Sequence, residues 1–189
     1  MQNDVIIAGF GGQGVLLIGK MLAYAGMADG KEVSWLPSYG PEMRGGTCNC
    51  TVVISDRPVG SPVVEHPRAA LVLNLPSLDK FEPMVKPGGL LLINTSLISK
   101  ESKRADIRVV KVPANEIANE LGNPRGANMV ALGAFLGATH AVSLAAVDGL
   151  IRETFAGKTK LIEANLAALR RGFELGEQAT AEEAKEVAQ

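Results

Sequence analysis

Six consecutive residues, Gly9-Phe10-Gly11-Gly12-Gln13-Gly14, satisfy G-x-G-x-x-G, a spacing that lets a phosphate approach backbone N–H groups closely. Before them lies a short apolar run at residues 5–8. After them Val15, Leu16, Ile18, Met21, Leu22 and Ala25 recur at helical spacing. Strand, glycine turn and helix in that order place a ligand at a helix N-terminus, where free donors and the helix dipole favour an anion. Gln13 adds a side-chain amide at the helix start. A dinucleotide site also asks for a carboxylate about 20 positions on, at the end of the second strand, to hold a ribose hydroxyl. That place holds Leu36-Pro37-Ser38, and Glu32 begins the strand rather than ending it. The turn therefore reads as tight strand–helix packing, or as a seat for another phosphate-bearing ligand or a partner chain.

The more specific string is Ser38-Tyr39-Gly40-Pro41-Glu42-Met43-Arg44-Gly45-Gly46, which combines an aromatic ring, an acid, a thioether and a guanidinium. Residues 37–46 are too rich in Gly and Pro for regular structure, which predicts a loop after the second strand. Ligands of open α/β sheets bind at such strand ends. Arg44, beside Gly45 and Gly46, can present its fork to a phosphate or carboxylate, or form a surface ion pair. Asn74 and Asn94 end later strands on the same side of a parallel sheet, as polar neighbours of the turn or as caps. Arg125 and Asn128 stand before a long apolar helix, near a ligand, a neighbouring chain or, for Asn128, as its cap.

Other candidate groups carry less. Cys48 and Cys50 form one C-x-C pair, too few thiolates for a zinc or iron–sulfur site, and read as buried thiols. His66 and His140 have no second ligand at metal spacing and read as structural. G-x-S-x-G, H-E-x-x-H and the P-loop pattern are absent, so no self-contained hydrolase chemistry is visible.

The elements that must position these residues follow from pattern. Strands are expected at 5–8, 31–36, 47–55, 69–74, 89–94 and 107–112, with a short extended piece at 63–64. Helices are expected at 12–27, 77–85, 114–121, 128–141, 143–155 and 159–177, with Ser143 as an N-cap and Gly157 as a stop. Strands linked by helices, then a run of helices, predict an α/β domain of three layers around a largely parallel sheet, with a helical C-terminal part. One domain over residues 1–176 and a polar, solvent-facing tail at 177–189 are expected.

Composition narrows the function classes. The chain has 189 residues, 47% hydrophobic and 21% charged, with 19 Lys+Arg against 20 Asp+Glu. That balance excludes a globally basic nucleic-acid binder and a wholly disordered chain. Residues 127–147 lack charge, but their Asn, Thr, His and Ser favour two buried helices over a membrane span. Few cysteines and no basic, apolar leader predict a cytoplasmic protein.

Taken together, Ile7-Ala8-Gly9-Phe10-Gly11-Gly12-Gln13-Gly14, the string from Ser38 to Thr47, Gly60-Ser61-Pro62 and Asn128-Met129-Val130-Ala131-Leu132-Gly133 resemble the gamma subunit of 2-oxoacid:ferredoxin oxidoreductases, most nearly the 2-oxoglutarate branch. The likeness runs over about residues 5–172. It implies a Rossmann-like domain in a complex that oxidatively decarboxylates a 2-oxoacid to an acyl-CoA and CO2, passing electrons to ferredoxin. Thiamine diphosphate, Mg and 4Fe-4S clusters are implied in partner subunits: thiamine-binding alpha and beta chains and a ferredoxin-like cluster chain. The resemblance implies no catalytic group and no metal ligand in this chain, whose isolated form is expected to be inactive. Coenzyme A is the implied contact of Gly9, Gly11, Gly12, Gln13, Gly14, Ser38, Tyr39, Met43, Arg44 and Gly45. Two other readings fit the same residues: an independent nucleotide-binding enzyme or sensor, and a purely structural docking subunit.

Overall fold

Residues 5–8 are buried without alternation, as are all residues of two later strands, so both faces of the sheet must be covered. The computed structural model, which describes residues 2–40 and 45–187, shows how. The order is β1 (Gln2–Phe10), α1 (Val15–Ala28), β2 (Glu32–Tyr39), β3 (Thr47–Ser55), β4 (Ala69–Val72), α2 (Leu75–Phe81), a 3-10 turn (Glu82–Met84), β5 (Leu90–Asn94) and β6 (Arg108–Val112). Then follow α3 (Ala114–Glu120), α4 (Ala127–Thr139), α5 (Leu144–Thr154) and α6 (Thr159–Val187).

The six strands lie in the order β2-β3-β1-β4-β5-β6. The pairs β1–β4, β4–β5 and β5–β6 are parallel, whereas β3 runs against both β1 and β2. Five strands thus share one direction, which agrees with the largely parallel sheet read from the pattern. Val5 and Ile7 face a core built with α1 and α3 to α6. Ile6 and Ala8 face a smaller core under Leu78 and Phe81 of α2.

Several local expectations change. Residues 37–39 are strand, not loop: Pro37 pairs with Cys50 and Tyr39 with Cys48. Pro37 is tolerated because β2 is an edge strand, with one side free of ladder hydrogen bonds. Residues 63–64 form no strand. Helix α2 starts at Leu75, two residues earlier than read, because Asn74 accepts the Ser77 N–H at 2.9 Å and caps it. His140 lies past the end of α4, as a left-handed C-cap with its ring edge-on to Phe173. Ser143 caps α5 as expected, accepting the Ala146 N–H while donating to Asp29. Helix α6 continues without a break to Val187, and there Arg108 of β6 reaches Thr180 and pairs with Glu183.

The closest packing joins α4 to α6. A Cβ on Gly133 or Gly137 would fall 2.0–2.1 Å from the carbonyl oxygens of Leu169 and Phe173; one on Gly172 or Gly176 would meet those of Val130 and Ala134 as closely. Partners rise together along both chains, so the helices run in the same direction. Each carries G-x-x-x-G, the small-residue spacing that lets two backbones touch.

Candidate functional site

The glycine turn closes on itself first. Phe10 N–H donates to Gln13 Oε1 at 2.6 Å and Gln13 N–H to the Phe10 carbonyl at 3.1 Å. Gln13 Nε2 donates to the Leu73 carbonyl at 3.3 Å, and Asn74 Nδ2 donates to Gln13 Oε1 at 3.2 Å. The amide expected to serve a ligand is thus committed to joining β1 to the end of β4. A Cβ on Gly9 would lie 2.6 Å from Gln13 Oε1, so Gly9 is required by this packing and borders neither cavity described below.

Gly14 caps α1 at φ 80°, with no side chain accepting from the helix N–H groups. A Cβ there would lie 2.2 Å from Asn128 Nδ2, so the turn is also pressed against the start of α4. Gly12 adopts φ 103° with open space around it. These positive angles favour glycine strongly over any other residue.

The second motif returns to the first. Gly11 N–H donates to the Gly46 carbonyl at 2.9 Å, and Gly45 N–H to the Gly11 carbonyl at 3.3 Å. Gly40 N–H donates to the Thr47 carbonyl at 3.1 Å, closing the β2–β3 hairpin below. The two strings separated in sequence therefore meet at one point of the carboxyl end of the sheet. Met43 and Arg44, with Pro41 and Glu42, lie outside the described residues. Ser38 is an exposed strand residue; Tyr39, 61% exposed, borders the site.

Two cavities flank the turn. On one side an apolar cavity of about 480 Å³ lies between Gly11, Gly12 and Gly14, the Leu16 and Leu17 side chains, and Trp35, Pro37 and Tyr39 of β2. Cys48 lies at its wall and Cys50 behind it, packed against Gly19 of α1. Burial raises both thiols, Cys50 up to about 12, so both stay protonated at neutral pH. On the other side a polar cavity of about 300 Å³ is lined by Gly12, Gln13, Asn94, Asn115, Arg125 and Asn128, with Leu73, Pro124 and Ala127.

Asn94 and Asn128 were open between binding and capping. Asn94 Oδ1 accepts the Ala114 N–H at 3.2 Å, a cap for α3. Asn128 does not cap α4, whose N-cap is Gly126 without a side-chain acceptor. Sequence reasoning left Trp35 and Asn115 unmarked. The single tryptophan, on a strand ending beside the glycine turn, was the available signal for the first. Among the described residues, no group of three His, Cys, Asp or Glu is placed to hold a metal ion, and no helix is long and apolar enough to cross a membrane.

Residues 4–175 match the family model described as pyruvate ferredoxin/flavodoxin oxidoreductase. The chain is 46% identical over 173 residues to ketoisovalerate oxidoreductase subunit VorA of Methanothermobacter marburgensis, covering 89% of this chain and 35% of that one. It thus spans about a third of that relative's length. It is 35% identical over 181 residues to 2-oxoglutarate synthase subunit KorC of Methanocaldococcus jannaschii, covering 94% and 96%. Among solved structures, the gamma subunit of a keto/oxoacid ferredoxin oxidoreductase from Geobacter sulfurreducens superimposes with a TM-score of 0.79 at 31% identity, over 93% of this chain and 99% of that one. The 2-oxoglutarate:ferredoxin oxidoreductase of Magnetococcus marinus, solved with 2-oxoglutarate, coenzyme A and succinyl-CoA, gives 0.86 at 22% identity, over 94% and 31%, a likeness of fold.

Proposed function

The chain belongs to the pyruvate ferredoxin/flavodoxin oxidoreductase family, and from that membership we propose that it is the gamma-type subunit of a 2-oxoacid:ferredoxin oxidoreductase, where its glycine-turn face receives coenzyme A. The observation that carries this reading is the junction of the two motifs. The uncapped N-terminus of α1 opens beside an apolar cavity framed by Trp35 and Tyr39, and Gly45 and Gly46 hold the second loop against Gly11. Backbone N–H groups at such a terminus suit a diphosphate, and an aromatic wall suits a base or an apolar arm.

Thiamine diphosphate and iron–sulfur clusters in partner subunits would supply the decarboxylation and the electron path. This chain's own part is to position. The glycine turn fixes donors at one end of the ligand, the apolar cavity excludes water from its length, and the exposed edge of β2 offers Trp35, Leu36 and Tyr39 to a thiamine-bearing partner. The buried thiols, held protonated, stay inert beside a thiol substrate.

For the substrate, the 2-oxoglutarate branch read from the sequence has a rival. The likeness to KorC supports 2-oxoglutarate, and the higher identity to VorA supports a branched-chain 2-oxoacid. Anaerobic capture of the tagged chain from its own cells, followed by coenzyme A-dependent viologen reduction with 2-oxoglutarate, ketoisovalerate and pyruvate, tests both points. Co-eluting thiamine- and cluster-bearing chains with activity on one acid would support the reading and name the substrate. A lone chain that binds a nucleotide would instead favour an independent sensor.

A further inference from the structure

We propose that the polar cavity between the N-termini of α1 and α4 is a phosphate site, with the carboxamides of Asn115 and Asn128 and the guanidinium of Arg125 as its side-chain donors. It lies across Gly12 from the apolar cavity and shares only Gly12 and Gln13 with the residues assigned to coenzyme A above.

Three observations converge. First, Asn128 is only 7% exposed and lines the cavity, yet its Nδ2 donates to no atom of the described chain. Its Oδ1 accepts the Met129 N–H at 3.0 Å, so the group left over is the NH2. That NH2 is open to a ligand or water rather than sealed in the core, since among the described residues the sealed side-chain atom without a partner is Glu82 Oε1. Second, the same holds of Asn115. Asn94 Nδ2 donates to Asn115 Oδ1 at 2.8 Å, which leaves the NH2 of this lining residue without a partner among the described residues. Third, among the described residues Arg125 is the one ionisable side chain in the lining and forms no ion pair.

The backbone adds to this. Helix α1 and helix α4 both begin at glycines, Gly14 and Gly126, without an N-cap side chain, so the N–H groups of Val15, Leu16, Ala127 and Asn128 remain available while that of Met129 is taken by Gly126 and Asn128. The first N–H groups of α3 are taken by Asn94 and Ser96 and contribute nothing. Gln13 is committed to Leu73, Phe10 and Asn74. What remains among the described residues is a wall of donors with one positive charge and no carboxylate, which selects an anion rich in acceptor oxygens.

The phosphate can belong to coenzyme A, in which case this inference deepens the reading above and rests on it, or can be free inorganic phosphate. The test is an NMR titration of the ¹⁵N-labelled full chain, first with inorganic phosphate and then with coenzyme A. Saturable shifts are expected at the Asn115 and Asn128 side-chain amides and at the Gly12 amide. Arg125→Gln, an exposed change, should weaken phosphate binding about tenfold, the loss expected for one charge-assisted hydrogen bond. Arg68→Gln, at the opposite end of the sheet, should not. Coenzyme A displacing phosphate from these amides identifies the source as the cofactor. Phosphate binding that coenzyme A leaves undisturbed supports the site as one for the free ion and counts against the coenzyme A reading alone. No shift at these amides up to tens of millimolar phosphate, or equal binding by Arg125→Gln, overturns the inference even if coenzyme A binds elsewhere.

Discussion

At Gly12 a side chain would meet nothing within 4 Å, whereas at Gly133, Gly137, Gly172 and Gly176 a Cβ would fall 2.0–2.1 Å from a carbonyl oxygen of the facing helix. The same residue type thus opens space at the carboxyl end of the sheet and removes it between α4 and α6. At the turn, glycine is needed for backbone angle and, on the proposed function, for ligand access. In the helix pair the angles are ordinary and only contact requires it. Gly14 stands between the two cases, with φ 80° and Asn128 directly against it. The difference separates the region proposed to bind a ligand from one built for close helix packing, and α4 joins them, since its first turn borders the polar cavity and its middle packs on α6.

Substitutions should rank accordingly. Gly172→Leu, or Gly133→Leu, must force the helices apart, and a loss of about 3 kcal/mol or more is expected in urea unfolding. Gly14→Ala combines a left-handed angle with a displaced Asn128 and should cost about 2 kcal/mol, with altered Asn128 side-chain resonances. Gly12→Ala meets angle strain alone and should cost about 1 kcal/mol, while weakening coenzyme A binding more than any of the helix changes that still fold. Equal losses for Gly12→Ala and Gly172→Leu would erase the distinction drawn above.

The effect smallest near neutral pH is that of titration. Burial raises the Cys50 thiol from its usual 9.0 to about 12, so the folded state holds a proton that the unfolded chain gives up sooner. Stability from this group is whole below pH 9.0 and declines as pH rises toward 12, by at most about 1.4 kcal/mol per pH unit. Cys50→Ala should therefore differ most from the wild-type chain at neutral pH, with the gap narrowing in alkaline buffer.

Much of this was legible in the residues. Runs such as Val5-Ile6-Ile7-Ala8 announce a doubly covered strand, and the helical spacing after Gly14 announces α1. Gly9–Gly14 and Ser38–Gly46 each pointed to the ligand end of the sheet, but nothing in either shows that Gly11 bonds to Gly45 and Gly46, because that contact depends on β3 lying beside β1, where Thr47 pairs with Phe10. Pro37 misled because its local preference is read without knowing that β2 is an edge. The glycines of α4 and α6 look like weak points of two helices until each is seen facing the other. Asn115 carried no signal, since its place in the cavity wall depends on Asn94, at the end of β5, donating to its Oδ1.

Hydrogen exchange on the assembled complex, with and without coenzyme A, tests the central claim most directly. Slower exchange at residues 11–16 and 45–47 on adding coenzyme A, with α6 unchanged, is the expected result. Unaltered exchange at residues 11–16 in a complex that turns over coenzyme A would contradict the assignment of the glycine-turn face as its receiving surface.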